Sequence, residues 1–287
     1  MNFNWEQYIQ NYPDLSGFTR EKAIRHYNRF GKFEGRSDKI IYQESKIISQ
    51  ESKNLFDIVI PLGPNDISFI EHIVLHCKNN IIDYRNIYII TKDNNIPTDC
   101  IFIDENSFPF KLEDFNSLNN RKNWYLQQLL KLYAWTIPGI LDNYLVIDAD
   151  TYFLKPTTFM ENDLFLFNTS GEFHTPYFTH MKKLHPTLIR KLDCSGICHH
   201  MIFNKSYINE LFELVSQYHN CEFWKAFLKC VEPSESSGAA EYEIYFNFML
   251  IYHPESIKIR NLNWANLRSY SIGNYDYISI HWYSRQV

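Results

Sequence analysis

Four apolar residues that run straight into two carboxylates constrain this chain more than any other stretch: Tyr144-Leu-Val-Ile147 is followed at once by Asp148-Ala149-Asp150. The apolar run reads as a buried strand. Successive strand residues point to opposite faces, so Asp148 and Asp150, two apart, share one side. Two carboxylates at the carboxyl end of a strand suit a hard divalent cation, Mg²⁺ or Mn²⁺, that also takes phosphate oxygens. Ala149 between them is small enough to let a ligand approach the backbone. A solvated turn also tolerates Asp-x-Asp, but that reading weakens when the pair caps an apolar strand midway along a domain.

The surrounding pattern alternates. Phe56–Ile60 is a strand that meets a loop at Pro61-Leu-Gly-Pro64, residues 66–78 suit a helix, and Asn86–Thr91 and Cys100–Ile103 are two further strands. A helix over 121–136 then leads into Tyr144–Ile147. This order predicts an α/β fold of βαβ units, a mixed but mostly parallel sheet flanked by helices. Ligands of such sheets sit beyond the carboxyl ends of the strands, which singles out the loops 61–66, 91–95, 104–110 and 148–156. On a helical wheel, Leu126, Leu129, Leu130, Tyr133 and Ile137 form an apolar stripe facing the sheet. Trp124, Gln127, Gln128, Lys131 and Trp135 gather on the other side, which reads either as the wall of a binding site, with Lys131 near a phosphate or sugar hydroxyl, or as a face covered by the rest of the domain with Lys131 in an ion pair.

Composition narrows the class. The 287 residues carry 28 Lys+Arg against 33 Asp+Glu, a net charge of -5, and 45% are hydrophobic, so the chain has material for a core in one large domain or two unequal ones. The acidic balance argues against a nucleic-acid partner. No apolar run approaches the ~18 residues of a membrane span. The opening Met-Asn-Phe-Asn-Trp-Glu-Gln lacks the basic flank and apolar stretch of a signal peptide, so a cytoplasmic protein without a transmembrane segment is expected. The six cysteines show no disulfide framework and are expected to be reduced. Cys194-x3-Cys198 beside His199 and His200 is half of a zinc pattern without its second half. Aromatic residues make up 17% of the chain, and their rings suit either core filling or stacking on sugars and bases.

With Asp148-Ala-Asp150 following the Trp/Gln/Lys helix, the chain resembles the nucleotide-sugar-dependent glycosyltransferases of GT-A fold over roughly residues 55–283, most strongly from Arg121 to Pro156. Within that group it looks like glycogenin-type enzymes and, more closely, like bacterial and viral glycosyltransferase-like families. The resemblance implies a GT-A-like, Rossmann-type domain and a donor diphosphate held through Mn²⁺ or Mg²⁺ at Asp148 and Asp150. The implied partners are a nucleotide-sugar donor, most commonly a UDP-sugar, and a glycan or protein acceptor. Lys131 matches a donor-contacting lysine of glycogenin-like enzymes. Gln128, Arg121, Trp124 and Pro61 join it as donor-site candidates, Arg121 because its planar fork suits phosphate oxygens.

Ser195-Gly-Ile-Cys-His199-His200-Met-Ile-Phe resembles the segment that GT-A enzymes lay beneath the donor sugar, with Ser195 and Gly196 suited to close backbone approach. An extended segment puts His199 and His200 on opposite faces, so one faces the site, and the reading favours His200. Glu241 opens an expected helix ended by His253-Pro254, with Glu243 behind it. The helix dipole stabilises an ionised carboxylate there, which fits either a general base for the acceptor hydroxyl or a residue that hydrogen-bonds the acceptor. His281-Trp282, after the short strand from Tyr277, resembles the histidine with which GT-A enzymes complete the metal shell, so His281 is expected as a third ligand.

Residues 1–38 read as a small helical module. Trp5, Tyr8, Ile9 and Tyr12 recur at helical spacing until Pro13, Thr19 caps a second helix, and Gly31 stops it. The stretch resembles a short helical module found beside glycosyltransferase and surface-protein domains. Residues 39–54 read as a linker and 55–287 as the glycosyltransferase-like domain. Two rivals are a haloacid-dehalogenase-type phosphatase and a non-catalytic sugar-binding or scaffold protein. The first wants Thr or Val where Tyr152 stands and places its motif at the domain start.

Overall fold

The computed structural model describes residues 3–12, 15–32, 36–38, 55–116, 118, 121–235, 237–271 and 273–285. The chain divides into two compact units, Met1–Ser52 and Lys53–Val287. Pro13 and the expected linker over 39–54 lie outside the described residues. Among those described, no helix is long and apolar enough to cross a membrane.

The small unit holds α1 (Trp5–Asn11) and α2 (Arg20–His26), the latter running on into a wider turn, Tyr27–Gly31. Asn4 and Thr19 cap them, their side chains accepting from the amides of Gln7 and Lys22. Tyr8, Leu15 and Ala23 form the core, and a Cβ at position 31 would run into the Tyr8 hydroxyl. Glycine is therefore required at the end of this turn by a close approach, not by a left-handed backbone.

In chain order the large unit contains β1 (Phe56–Pro61), α3 (Ile70–Asn80), β2 (Tyr84–Thr91), β3 (Ile101–Asp104), α4 (Lys122–Tyr133), β4 (Asn143–Ile147) and β5 (Thr151–Phe153). There follow β6 (Met160–Glu161), β7 (Leu164–Asn168), α5 (Thr175–Leu184), β8 (His200–Asn204), α6 (Lys205–His219) and α7 (Phe223–Cys230). Last come α8 (Glu241–Tyr252), β9 (Ile257–Arg260), β10 (Trp264–Asn266) and β11 (Tyr277–Ser279). The result is a mixed α/β fold around a five-stranded sheet of order β3-β2-β1-β4-β8. The first four strands are parallel and β8 runs antiparallel to β4. Every residue of β1 is buried, as its unbroken apolar run requires of a strand covered on both faces.

Two features of this topology position the site. Chain order reverses between β1 and β4, and a crevice opens at the carboxyl ends of strands that part in this way. Pro61 ends β1 and Asp148 follows β4, so they stand at the two sides of that point. A second, three-stranded sheet, β10-β11-β5, then ties residues far apart in sequence together. In it Ser279 pairs with Thr151, and the Ile280 amide donates to the Asp150 carbonyl at 2.9 Å. A third sheet, β6-β7-β9, is hydrogen-bonded to neither, though β7 packs beside β8.

Helix α4 departs from the two-stripe expectation. Its apolar stripe is buried, but Tyr125, Gln128, Lys131 and Leu132 are buried as well. The Gln128 side-chain amide donates to the Ala239 carbonyl at 3.1 Å, and Lys131 is tied to α8. The polar arc is thus covered by the loop entering α8 and by α8 itself, and the wheel alone did not carry that information.

Candidate metal centre

The turn after β4 is tight. The Asp148 amide donates to the His199 carbonyl at 2.9 Å, and the Thr151 amide donates to the Asp148 carbonyl at 3.1 Å. Both acidic side chains are partly buried beside this turn. Asp148 has partners on both carboxylate oxygens. Its Oδ1 accepts from Lys131 Nζ at 2.5 Å and from the Tyr242 hydroxyl at 2.9 Å, while Oδ2 lies 3.2 Å from His199 Nδ1. Lys131 Nζ also donates to Glu241 Oε1 at 2.6 Å and sits 4.4 Å over the Tyr242 ring.

This buried knot fixes the charges. Burial opposes ionisation of Asp148, but Lys131 and His199 outweigh it and hold the carboxyl well below the usual carboxylate range. Burial likewise opposes the Lys131 ammonium, yet Asp148 and Glu241 raise its pKa above the ordinary lysine value. Glu241 moves the other way: burial, with Asp148 adding to it, raises its carboxyl despite the lysine.

Asp150 has different neighbours. Its Oδ2 lies 2.9 Å from His281 Nδ1, and its Oδ1 is buried with no hydrogen-bond partner among the described residues. Asp150, His199 and His281 each offer one ligand atom, and these atoms lie within 4.8 Å of one another. The two imidazole rings are 5.0 Å apart; Trp264 stands edge-on to His199, and Tyr283 stacks on His281. Burial lowers the His281 pKa, but the Asp150 carboxylate outweighs it and holds the ring above the ordinary histidine range. One carboxylate and two imidazoles form a donor set that a divalent metal ion accepts.

Lys131, Asp148, Asp150, Glu241 and His281 therefore meet in one place. The other residues singled out in the sequence do not join them. His200 begins β8 on the opposite side, 3% exposed, its ring edge-on to Phe153, Phe159 and Tyr277. Burial, with Arg260 adding to it, pushes its imidazole well below the ordinary range. His199 faces the acidic pair instead, because its backbone turns into the left-handed region (φ 63°) just before the strand starts. Glu243 is buried against Asn247, which donates to its Oε2 at 2.9 Å, and against Ser195. Ser195 is fully buried and its hydroxyl accepts from the Ile197 amide at 3.0 Å. The close approach at Gly196 is to Phe246 of α8. Arg121 hydrogen-bonds the Ser237 hydroxyl and lies 4.4 Å over the Trp124 ring. Pro61 is buried in register with Ile90.

Sequence reading missed Tyr242, Asp66 and Arg285. Arg285 pairs with Asp66, donates to the Asn65 and Ile280 carbonyls, and covers the Phe69 ring at 4.3 Å. Burial raises the Asp66 carboxyl from 3.8 to about 6; Arg285 opposes the shift and the charges of Asp150 and Asp148 reinforce it. Topology singles out the loop 61–66, and Asp66 is the carboxylate it carries. Tyr242 left no such trace in a helix that is aromatic and apolar nearly throughout. Comparison with known protein families and with curated proteins returned no match.

Proposed function

We propose that the chain is a metal-dependent glycosyltransferase of the GT-A kind, moving a sugar from a nucleoside-diphosphate donor, most simply a UDP-sugar, to a hydroxyl of a glycan or protein. The observation that carries this reading is the acidic turn Asp148–Asp150 beyond β4, beside the reversal of strand order, with His281 fastened against Asp150 by the β5–β11 pairing. Charge supports it. Asp66, Asp148, Asp150 and Glu241 gather here beside Lys131, Arg285 and the imidazoles of His199 and His281, an acidic cluster whose charge a divalent cation offsets so that a diphosphate is tolerated. Asp150 Oδ1, without a partner among the described residues, and the nearby imidazoles fit such a cation, Mn²⁺ or Mg²⁺. When bound, it offsets the charge of the departing nucleoside diphosphate.

The residue roles differ from those expected of the sequence. Lys131, held between Asp148 and Glu241, is a positioning residue for the acidic turn rather than a free phosphate contact. Glu241 and Glu243 are enclosed, 4% and 1% exposed, so neither is open to an acceptor. The exposed carboxylate of Glu172, within electrostatic reach of His199 and His281, is the better candidate to take the acceptor proton. Changing Glu172 to Gln is expected to lower turnover by about 100-fold or more while leaving Mn²⁺-dependent nucleotide binding intact; steady-state rates beside calorimetry check this.

The deciding experiment is calorimetric titration with UDP, GDP, CMP and TDP, with Mn²⁺ or with EDTA, on wild type and Asp150→Asn. Mn²⁺-dependent binding of one nucleotide, lost in the variant, is expected. Absence of nucleotide binding under every condition overturns the reading. The saturated Lys131–Glu241 pair favours one rival, a non-catalytic sugar-binding protein of this fold, and metal-dependent hydrolysis of a nucleotide sugar excludes it.

A further inference from the structure

We infer that His199 is a metal ligand and that Asp148 is its orienting partner, making the centre a site of two imidazoles and one carboxylate that prefers Mn²⁺ and Co²⁺ over Mg²⁺. The inference deepens the transferase reading and rests on its metal, not on its donor.

Asp148, expected as a ligand from its spacing, already has partners on both oxygens: Lys131, Tyr242 and His199. Drawing it onto a metal would leave the buried Lys131 facing Glu241 alone. An ionised carboxylate only accepts hydrogen bonds, so the His199 Nδ1 that faces Asp148 carries the proton. That leaves the Nε2 lone pair for coordination, the arrangement by which a carboxylate orients a metal-binding histidine. The backbone points the same way. His199 adopts φ 63°, a conformation that is uncommon for any residue but glycine and that strained functional positions retain. This turn separates two adjacent histidines, sending one to Asp150 and His281 and the other into an aromatic pocket. Asp150 contributes the buried oxygen that has no partner among the described residues.

Donor chemistry then sets metal preference. Mg²⁺ takes oxygen ligands and keeps its water, whereas imidazole nitrogens favour first-row transition ions, with affinity rising from Mn²⁺ to Co²⁺.

The test uses the full chain, freed of metal, with Co²⁺, Mn²⁺ and Mg²⁺ each titrated alone by calorimetry, and pulsed electron paramagnetic resonance on the Mn²⁺-loaded protein. Wild type is expected to bind Co²⁺ more tightly than Mn²⁺, to bind Mg²⁺ most weakly, and to show couplings from two imidazole nitrogens. His199→Gly suits the left-handed backbone and is expected to weaken Co²⁺ and Mn²⁺ by at least about tenfold, remove one nitrogen coupling and leave Mg²⁺ affinity unchanged. His199→Asn, also tolerated in that conformation, serves should the glycine variant fail to fold. Two nitrogen couplings persisting in either variant, equal affinity for Mg²⁺, or no divalent binding at all overturns the inference. Mn²⁺-dependent UDP binding with an unaltered His199→Gly sinks the inference and spares the transferase. The expected metal behaviour without any nucleotide binding does the reverse.

Discussion

At the scale of single residues, the site is governed by one buried lysine. Lys131 is 4% exposed and serves two carboxylates, so removing its charge strands both. Lys131→Met is expected to destabilise the large unit by about 3–5 kcal/mol in urea unfolding at pH 7. Burial raises the Glu241 carboxyl, so acid neutralises the stranded group and the gap to wild type narrows as pH falls toward 5. Asp66 gives a second dependence. Its pKa is raised to about 6, so the folded state holds this proton more tightly than the unfolded state. Its contribution to stability is fully present below pH ~4 and lost as pH rises through ~6. Asp66→Asn should therefore gain on wild type between pH 4 and 7, as read from urea midpoints at each pH. The acidic pair was legible because periodicity and chemistry spoke together, whereas His281 entered only through the family resemblance. The choice between His199 and His200 was not legible, because it turns on one positive φ that two identical neighbours do not announce.

Among elements, α8 does most to shape the centre, supplying Glu241 and Tyr242 to the Lys131 knot and Phe246 to the loop beneath. A Cβ added at Gly196 would stand 2.5 Å from Phe246 Cβ, so Gly196→Ala must push the Ser195 loop and α8 apart. A loss of about 1–3 kcal/mol is expected in thermal or urea unfolding. The sequence marked α8 as a helix by its length and its His253-Pro254 stop, but a helix buried over most of its circumference carries no polar stripe to orient it. On α4 a polar stripe was present, but the wheel does not say what packs over it, and this hid the burial of Gln128 and Lys131. The central strands were legible as long apolar runs. The strands β5, β6 and β10 were harder, since two or three residues are too few to display a period, whereas β11 was read as a short strand from Tyr277.

Over the molecule as a whole, the two units have separate cores, one around Tyr8 and one built on the five-stranded sheet. Within the large unit, the central sheet carries only part of the centre, because His281 reaches Asp150 through a pairing that bridges 131 residues. Such distant contacts are slow to form, since the intervening chain must be ordered before they contribute. In stopped-flow refolding with Mn²⁺ present, ion uptake is therefore expected to lag behind the recovery of far-ultraviolet ellipticity. Simultaneous recovery would show that β11 docks with the sheet rather than after it. If the proposed ion is bound, the pairing of β5 with β11 also sets when it can be taken up. While the ribosome is making residues 151 to 280, the nascent chain already displays its acidic turn but has no second wall to close on an ion. Under the proposed metal reading, loading is a checkpoint passed only by chains that have completed and docked this strand, and an interrupted or misfolded copy is expected to stay without an ion.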